Sequence, residues 1–194
     1  MKLDNDLAYI LGALRDGSLI YSDDKKYWVR IYDNKNSNWL NILSKMLENL
    51  FGIKFHLRYQ RKINEKYLDI SNKNLFYSIT NLVDGNLHGG IPRIIRNANL
   101  EIKKAYICGF FDAEGYVPYS SVKNKRFRIA FNQKNISSLI FIKSVLGNLG
   151  IKCPKISQHV LSIYGKENLL KFYNNFQIKN PEKLKRLELL IGNT

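Results

Sequence analysis

The chain is written twice. The stretches DLAYILGALRDGSLIY at 6–21 and KKAYICGFFDAEGYV at 103–117 each run as an apolar helix into an acid followed by glycine. Asp16 and Glu114 stand 98 residues apart, as do Gly17 and Gly115, and Gly52, Ile53 and Lys54 return at that offset as Gly150, Ile151 and Lys152. A period this long describes two related half-domains, not a solenoid of short repeats. The fold must be built from one unit used twice, with a surface on which the copies meet.

Each half reads in the same order. Strand-like runs rich in aromatic and β-branched residues follow the corners, YWVRIYD at 27–33 and RFRIAFN at 126–132. Helices come next. Trp39, Ile42, Leu43, Met46, Leu47 and Leu50 recur at helical spacing in one half, and Ile136, Leu139, Ile140, Ile142, Val145, Leu146 and Leu149 in the other, with Gly52 and Gly150 as stops. A strand pair follows, IKFHLRYQ with KYLDIS and IKCPKIS with VLSIYG, then helices near 72–83 and 166–176. PEKLKRLELLIG adds a last helix with Pro181 in its first turn. The order αββαββα, twice, predicts an α+β fold of duplicated half-domains, 1–90 and 91–194, joined through the Gly- and Pro-interrupted linker at 84–99.

The corners pose a chemical question. A carboxylate at a helix C-terminus faces the negative pole of the helix dipole, at about 0.3–1 kcal/mol each. The simplest reading is a solvated helix end, with Gly115 in the left-handed C-cap conformation. A second reading relieves the charge. Ala8, Gly12 and Asp16 fall at i, i+4, i+8, and so do Ala105, Gly109 and Ala113; such small stripes let two helix backbones approach closely. Packed about a pseudo-twofold axis, the helices bring Asp16 near Glu114, and two carboxylates in one small volume call for a cation. A hard cation such as Mg²⁺ takes one or two carboxylates, waters and phosphate oxygens.

Charge supplies the phosphate. Lys and Arg number 31 against 16 Asp and Glu, a formal +15 spread along the chain, which favours a polyanion. An anionic membrane is the competing partner, but there is no apolar run of 18 residues, no signal peptide and no strongly basic amphipathic helix. Cys108 and Cys153, far apart in apolar stretches, read as reduced buried thiols of an intracellular protein, cytoplasmic or organellar. His56, His88 and His159 have no ligand-like spacing, which argues against zinc. Two carboxylates, a divalent cation and a nucleic acid together suggest metal-assisted phosphodiester hydrolysis.

At ICGFFDAEG, residues 107–115, the chain resembles the LAGLIDADG homing endonucleases in their monomeric two-motif form, with Gly109, Asp112, Ala113, Glu114 and Gly115 in register. The repeat order extends the resemblance over nearly the whole chain. It implies a saddle of two four-stranded antiparallel sheets straddling the major groove of double-stranded DNA, with the motif helices beneath the minor groove. It also implies double-strand cleavage of a long target, leaving short 3′ overhangs, with Mg²⁺ or Mn²⁺ held by Asp16 and Glu114. The family places a polar residue and a lysine after the second strand of each repeat, to organise water at the scissile phosphates. Gln133 and Lys134 stand there in FNQKN, and Asn34 and Lys35 in YDNKN. The bland alternatives are solvated loop lysines, a turn residue at Asn34, and a cap or salt bridge at Asp112.

One departure bears on catalysis. Gly12 lies four residues before Asp16, whereas Gly109 lies five before Glu114. Aligning the small stripes puts Asp16 opposite Ala113, about 100° around the helix from Glu114; aligning the acids forces Leu11 and Arg15 into the tight contact. The expected resolution is a tightened last turn that rescues the acid.

Strand alternation sends Arg126, Arg128 and Asn132 to one face and Phe127, Ile129 and Phe131 to the other, with Arg30, Arg58, Gln60 and Arg61 as first-half counterparts. That polar face is the candidate DNA-binding surface, by base readout or by phosphate contact alone. The leading function is an intron-encoded or free-standing homing endonuclease. An intein is not expected, because the chain has no room for a splicing domain and lacks the terminal splicing residues. The alternative is a catalytically inactive binder of the same fold, an RNA maturase or DNA-binding regulator, which the short first motif favours.

Overall fold

The computed structural model describes residues 2–33, 37–60, 65–118 and 126–192. In the first half, helix α1 (Asn5–Ala13) passes through a 3-10 turn (Leu14–Asp16) directly into strand β1 (Gly17–Tyr21). Strand β2 (Tyr27–Asp33), helix α2 (Ser37–Phe51), strands β3 (His56–Gln60) and β4 (Glu65–Ser71) and helix α3 (Lys73–Leu82) follow. The short helix α4 (Arg93–Arg96) lies in the linker. The second half comprises α5 (Leu100–Glu114), β5 (Gly115–Tyr116), β6 (Arg128–Asn132), α6 (Ile136–Asn148), β7 (Val160–Tyr164), α7 (Lys166–Asn175) and α8 (Pro181–Ile191).

Helices α1 and α5 form the centre. Asp4 caps α1 by accepting from the Leu7 N–H at 2.9 Å, and Asn99 caps α5 by accepting from that of Ile102 at 3.0 Å. Residues 7–13 of α1 and 106–112 of α5 are buried without a polar stripe, which only a core helix tolerates. The helices cross at their glycines. A Cβ built on Gly109 would lie 1.9 Å from the Tyr9 carbonyl oxygen, and one on Gly12 2.1 Å from that of Tyr106. One buried cluster spans both halves, so they share a core.

The sheets are antiparallel. The first runs β1-β2-β4-β3, and the second β5-β6-β7. Val29, Ile31 and Leu68 face the helices of the first half. In the second, Phe111 packs edge-on against Phe131 and Phe172, with centroids 5.2 and 5.1 Å away, and so fixes α5 to its sheet.

Two expectations are corrected. The run at 151–157 forms no ladder; its only pairing is the bridge Ser157↔Val160, and the second sheet has three strands among the described residues. The hydrogen bonds go elsewhere: the Lys152 N–H donates to Asn168 Oδ1 at 3.1 Å, Pro154 has no N–H, and Lys143 Nζ takes the Pro154 carbonyl at 2.9 Å. Gly115 is not left-handed either; its φ is −78°, already that of a strand. Glycine is needed there for space, because a Cβ would meet the Phe111 ring at 2.2 Å. Of the cysteines, both free, Cys108 is buried and Cys153 only half-buried. Among the described residues, no helix is long and apolar enough to cross a membrane.

Candidate metal centre and nucleic-acid interface

The helix crossing sets the site. With Gly12 against Gly109, the small stripes are in register, and the 3-10 turn supplies what the shorter first motif lacks. Three 3-10 steps plus one α step advance about 7.5 Å, the same as the five α steps from Gly109 to Glu114. The rotational gap shrinks from about 100° to about 40°. The stripes and the acids are thus reconciled, and Gly12 and Gly109, not Leu11 and Arg15, hold the closest backbone approach.

Asp16 opens to solvent at the foot of the pair, and Glu114 is half-buried beside it. Burial of its carboxyl by the surrounding protein pushes Asp16 up to about 6, opposed by the Lys183 charge and reinforced by Asp33 and Glu65. Burial raises Glu114 to about 7, and the Asp16 charge adds to it, against Arg15 and Lys183. Two oxygen donors that hold their protons this tightly are short of positive charge.

Two cations flank them, the buried Arg15 and the half-buried Lys183, and no local pattern in the sequence marks either role. Arg15 donates to the linker carbonyls of Leu87 (2.6 Å), Gly89 (2.9 Å) and Gly90 (3.4 Å), with its guanidinium 5.7 Å over the Phe110 ring. Lys183, from α8, donates to the carbonyls of Phe111 (2.9 Å), Asp112 (2.7 Å) and Ala113 (3.1 Å), the last turn before Glu114. Burial lowers Lys183 to about 8 although Asp112, Asp33, Asp16 and Glu114 all favour its charge.

Asp112 is structural. It accepts from Tyr9 Oη at 2.5 Å and from the Lys179 and Asn180 N–H groups at 2.8 and 3.1 Å. Burial still raises it to about 6.

Sheet register adds a residue the sequence reading missed. Gly17 pairs with Ile31 and Gly115 with Phe131, so Asp33 and Gln133 each stand two residues beyond the partner of a corner glycine. Asp33 is therefore the first-half residue level with Gln133. A two-residue difference in hairpin length hides this from linear alignment. Asn34, Lys35 and Arg61 lie outside the described residues. Gln133 is half-buried, with Oε1 3.4 Å from the Asn135 N–H, and Lys134 is exposed.

On the outer sheet face Arg30 lies between the rings of Trp28 (5.5 Å) and Tyr67 (5.3 Å), and Arg128 lies 5.6 Å from the Tyr164 centroid, with Nε 3.3 Å from Ser162 Oγ. Arg58 is exposed but ion-paired with Asp69 at 3.3 Å. Gln60, Arg126 and Asn132 are exposed. Arg126 precedes β6, so its place on that face is not set by the ladder.

The geometry agrees with what known proteins show. Residues 101–177 match the family model described as a LAGLIDADG-like domain. Homing endonuclease I-ApeI of Aeropyrum pernix is 31% identical over 200 residues, covering 96% of this chain and 87% of that one. The chain belongs to the LAGLIDADG homing endonuclease family. A solved structure of mesophilic variants of the homing endonuclease I-DmoI superposes with a TM-score of 0.68 at 23% identity, covering 97% of this chain and 99% of the other. I-DmoI in complex with DNA and Ca gives a TM-score of 0.68 at 22% identity, with 95% and 98% covered. These structural likenesses establish the two-sheet α+β fold.

The donor set fits a hard divalent cation. The Asp16 charge is felt at Glu114, so the two carboxylates lie close enough to share a cation; among the described residues no third His, Cys, Asp or Glu joins them in a ligand group.

Proposed function

We propose that this chain is a site-specific homing endonuclease that makes a double-strand break in a long DNA target by divalent-metal-assisted phosphodiester hydrolysis, with Asp16 and Glu114 as the metal ligands. The observation that carries this is the electrostatic coupling of two acids, one from each half, that end the two helices of a glycine-to-glycine crossing. Residues 1–90 and 91–194 act as the two repeats, each giving one sheet and one acid. A monomer therefore suffices.

Mg²⁺ or Mn²⁺, when bound, lowers the pKa of water and stabilises the leaving oxygen. The chain's own groups do the rest. Asp16 and Glu114 present oxygens at the cleft mouth, and Lys183 holds the carbonyls below Glu114 so that the helix end does not fray. Lys134 places an ammonium by the scissile phosphate, where it offsets developing charge. The Gln133 carboxamide orients water there. Asn34 and Lys35 are the first-half candidates for the matching roles, and the sheet register adds Asp33 as the residue level with Gln133. Arg30, Arg58, Gln60, Arg61, Arg126, Arg128 and Asn132 bind the duplex.

The inactive-binder alternative draws on the short first motif; the 3-10 turn, which gives Asp16 the same rise as Glu114, weighs for the enzyme instead. The deciding experiment selects cleaved sites from a random library, then incubates a plasmid carrying the selected site with Mg²⁺ or with Ca²⁺. Linear product with Mg²⁺ and tight binding without cutting in Ca²⁺ is the expected pair of results. Binding with no cut under either ion would return the chain to the binder class.

A further inference from the structure

Beyond the acids, the geometry points to His159 as the residue that positions Lys134. Strand β7 is entered through a two-residue hairpin: the Ser157 N–H donates to the Val160 carbonyl at 3.1 Å, and the Val160 N–H returns to the Ser157 carbonyl at 2.8 Å. The two residues between, Gln158 and His159, have φ of 46° and 64°. Such a turn requires positive φ at both central positions, which is why Asn-Gly and Gly-Gly dominate it. Here neither residue is glycine or asparagine. Strain of this kind persists where the surroundings hold it in place, and it gathers at functional sites.

The surroundings in this case are the catalytic loop. The His159 carbonyl accepts from the Gln133 N–H at 2.9 Å, and the His159 ring nitrogen Nδ1 lies 3.0 Å from the Lys134 carbonyl. A carbonyl only accepts, so Nδ1 carries the proton and donates. The ladder of β6 and β7 ends at Asn132↔Val160; the hairpin tip carries the pairing past that end, onto the residues that bear the carboxamide and the ammonium. Glycine at 159 would keep the backbone bond to Gln133 but lose the ring bond to Lys134. His159 thus fixes the Lys134 backbone, and a long lysine side chain starting from a fixed Cα has fewer directions to search for the phosphate.

This rests on the reading of Lys134 as a group acting at the scissile phosphate, and the test separates the two. The probe is a plasmid carrying the library-selected site, with each strand labelled in a matching duplex. His159→Gly suits the turn's φ, so its thermal midpoint stays at or above the parent value and its affinity for the duplex in Ca²⁺ stays within twofold. Cleavage of the strand served by the second half falls tenfold or more, so nicked plasmid accumulates. His159→Asn, which tolerates positive φ and keeps a donor, recovers part of that rate. Lys134→Met shows the same strand bias, and adding His159→Gly to it costs no more than twofold further. Parent rates on both strands in His159→Gly, with Lys134→Met impaired, overturn the positioning role alone. Equal loss on both strands together with lost affinity also overturns it. Parent rates in Lys134→Met reject the catalytic reading of Lys134, and the positioning role falls with it.

Discussion

The Tyr9 hydroxyl donates to Asp112 Oδ2 across 2.5 Å, joining the two central helices from opposite halves of the chain. Trp39 Nε1 donates in turn to the Tyr9 oxygen at 2.9 Å, and the first two N–H groups ahead of Pro181, those of Lys179 and Asn180, reach the same Asp112 oxygen. One buried carboxylate therefore ties α1, α2, α5 and α8 together. Asp112→Ala strands these donors, each at about 1–3 kcal/mol when buried and unpaired, so a loss of about 3–5 kcal/mol is expected. Tyr9→Phe, which removes one donor and leaves the others, is expected to lose about 1–2 kcal/mol. Urea unfolding followed by fluorescence checks both values. Cleavage per folded molecule stays near the parent rate if Asp112 is structural.

The helix crossing allows a stronger test. A methyl at Gly109 would sit 1.9 Å from a backbone carbonyl that has no rotamer in which to retreat. Gly109→Ala must part the helices, and with them the acids. The expected cost exceeds about 4 kcal/mol, at the extreme of single substitutions. Gly147→Ala, where the same methyl meets nothing within 4 Å, serves as the control at an exposed position of α6; it is expected to gain a few tenths up to about 1 kcal/mol. Thermal denaturation of the pair distinguishes steric exclusion from a general intolerance of alanine.

Those two contacts also show how far the sequence could be read. The acids, their glycines and the small stripes are local patterns, so the helix pair and the 98-residue offset were legible. The rescue of Asp16 was anticipated in kind, as a tightened turn, but its match to five α steps needed the observed 3-10 geometry. Lys183 was not legible, because its partners lie about 70 residues upstream and nothing in PEKLKRLE marks which lysine folds back onto α5. Asp33 was hidden by hairpin length, which shifts the strand offset from the corner offset. The strand expected at 151–157 failed because Asn168 and Lys143, distant in sequence, claim its backbone groups.

The acid pair makes the metal-free protein's stability depend on pH. Glu114 titrates near 7 and Asp16 near 6 when folded, against ordinary values of 4.5 and 3.8. Raised carboxyl pKa values mean that the folded state binds the protons more tightly. Stability from these groups is fully present below the unfolded pKa, and it is lost as pH rises through the folded values, from about 4 to about 7. Without divalent metal, the thermal midpoint should fall between pH 5 and pH 7.5. Glu114→Gln should flatten that slope and stabilise the protein at pH 7.5 by about 1 kcal/mol, after discounting a full shift of about 1.4 kcal/mol per unit for solvent on the cleft side. The same variant is expected to lose Mn²⁺ binding and cleavage while keeping its DNA affinity. A midpoint that rises toward neutral pH in the metal-free protein would show that the carboxylates are not the strained groups described here.

On the sheet face, Arg30 and Arg58 should behave differently although both are strand arginines. Arg30 is held between two rings with its guanidinium aimed by stacking, so it enters the groove with little rotamer freedom to lose. Arg58 is already paired with Asp69, and binding phosphate or base would first break that bridge. Arg30→Ala is expected to weaken cognate binding by about 1–3 kcal/mol and to relax preference at one base position, as loss of a guanine contact does. Arg58→Ala should cost less than about 1 kcal/mol, because the lost attraction is offset by release from the bridge. Binding isotherms at several salt concentrations separate the roles: a base-reading Arg30 leaves the salt slope nearly unchanged, whereas a phosphate contact lowers it by about one. If Arg30→Ala weakened all sequences alike and lowered the slope, its role would be electrostatic, and specificity would have to come from Arg128 and the second sheet.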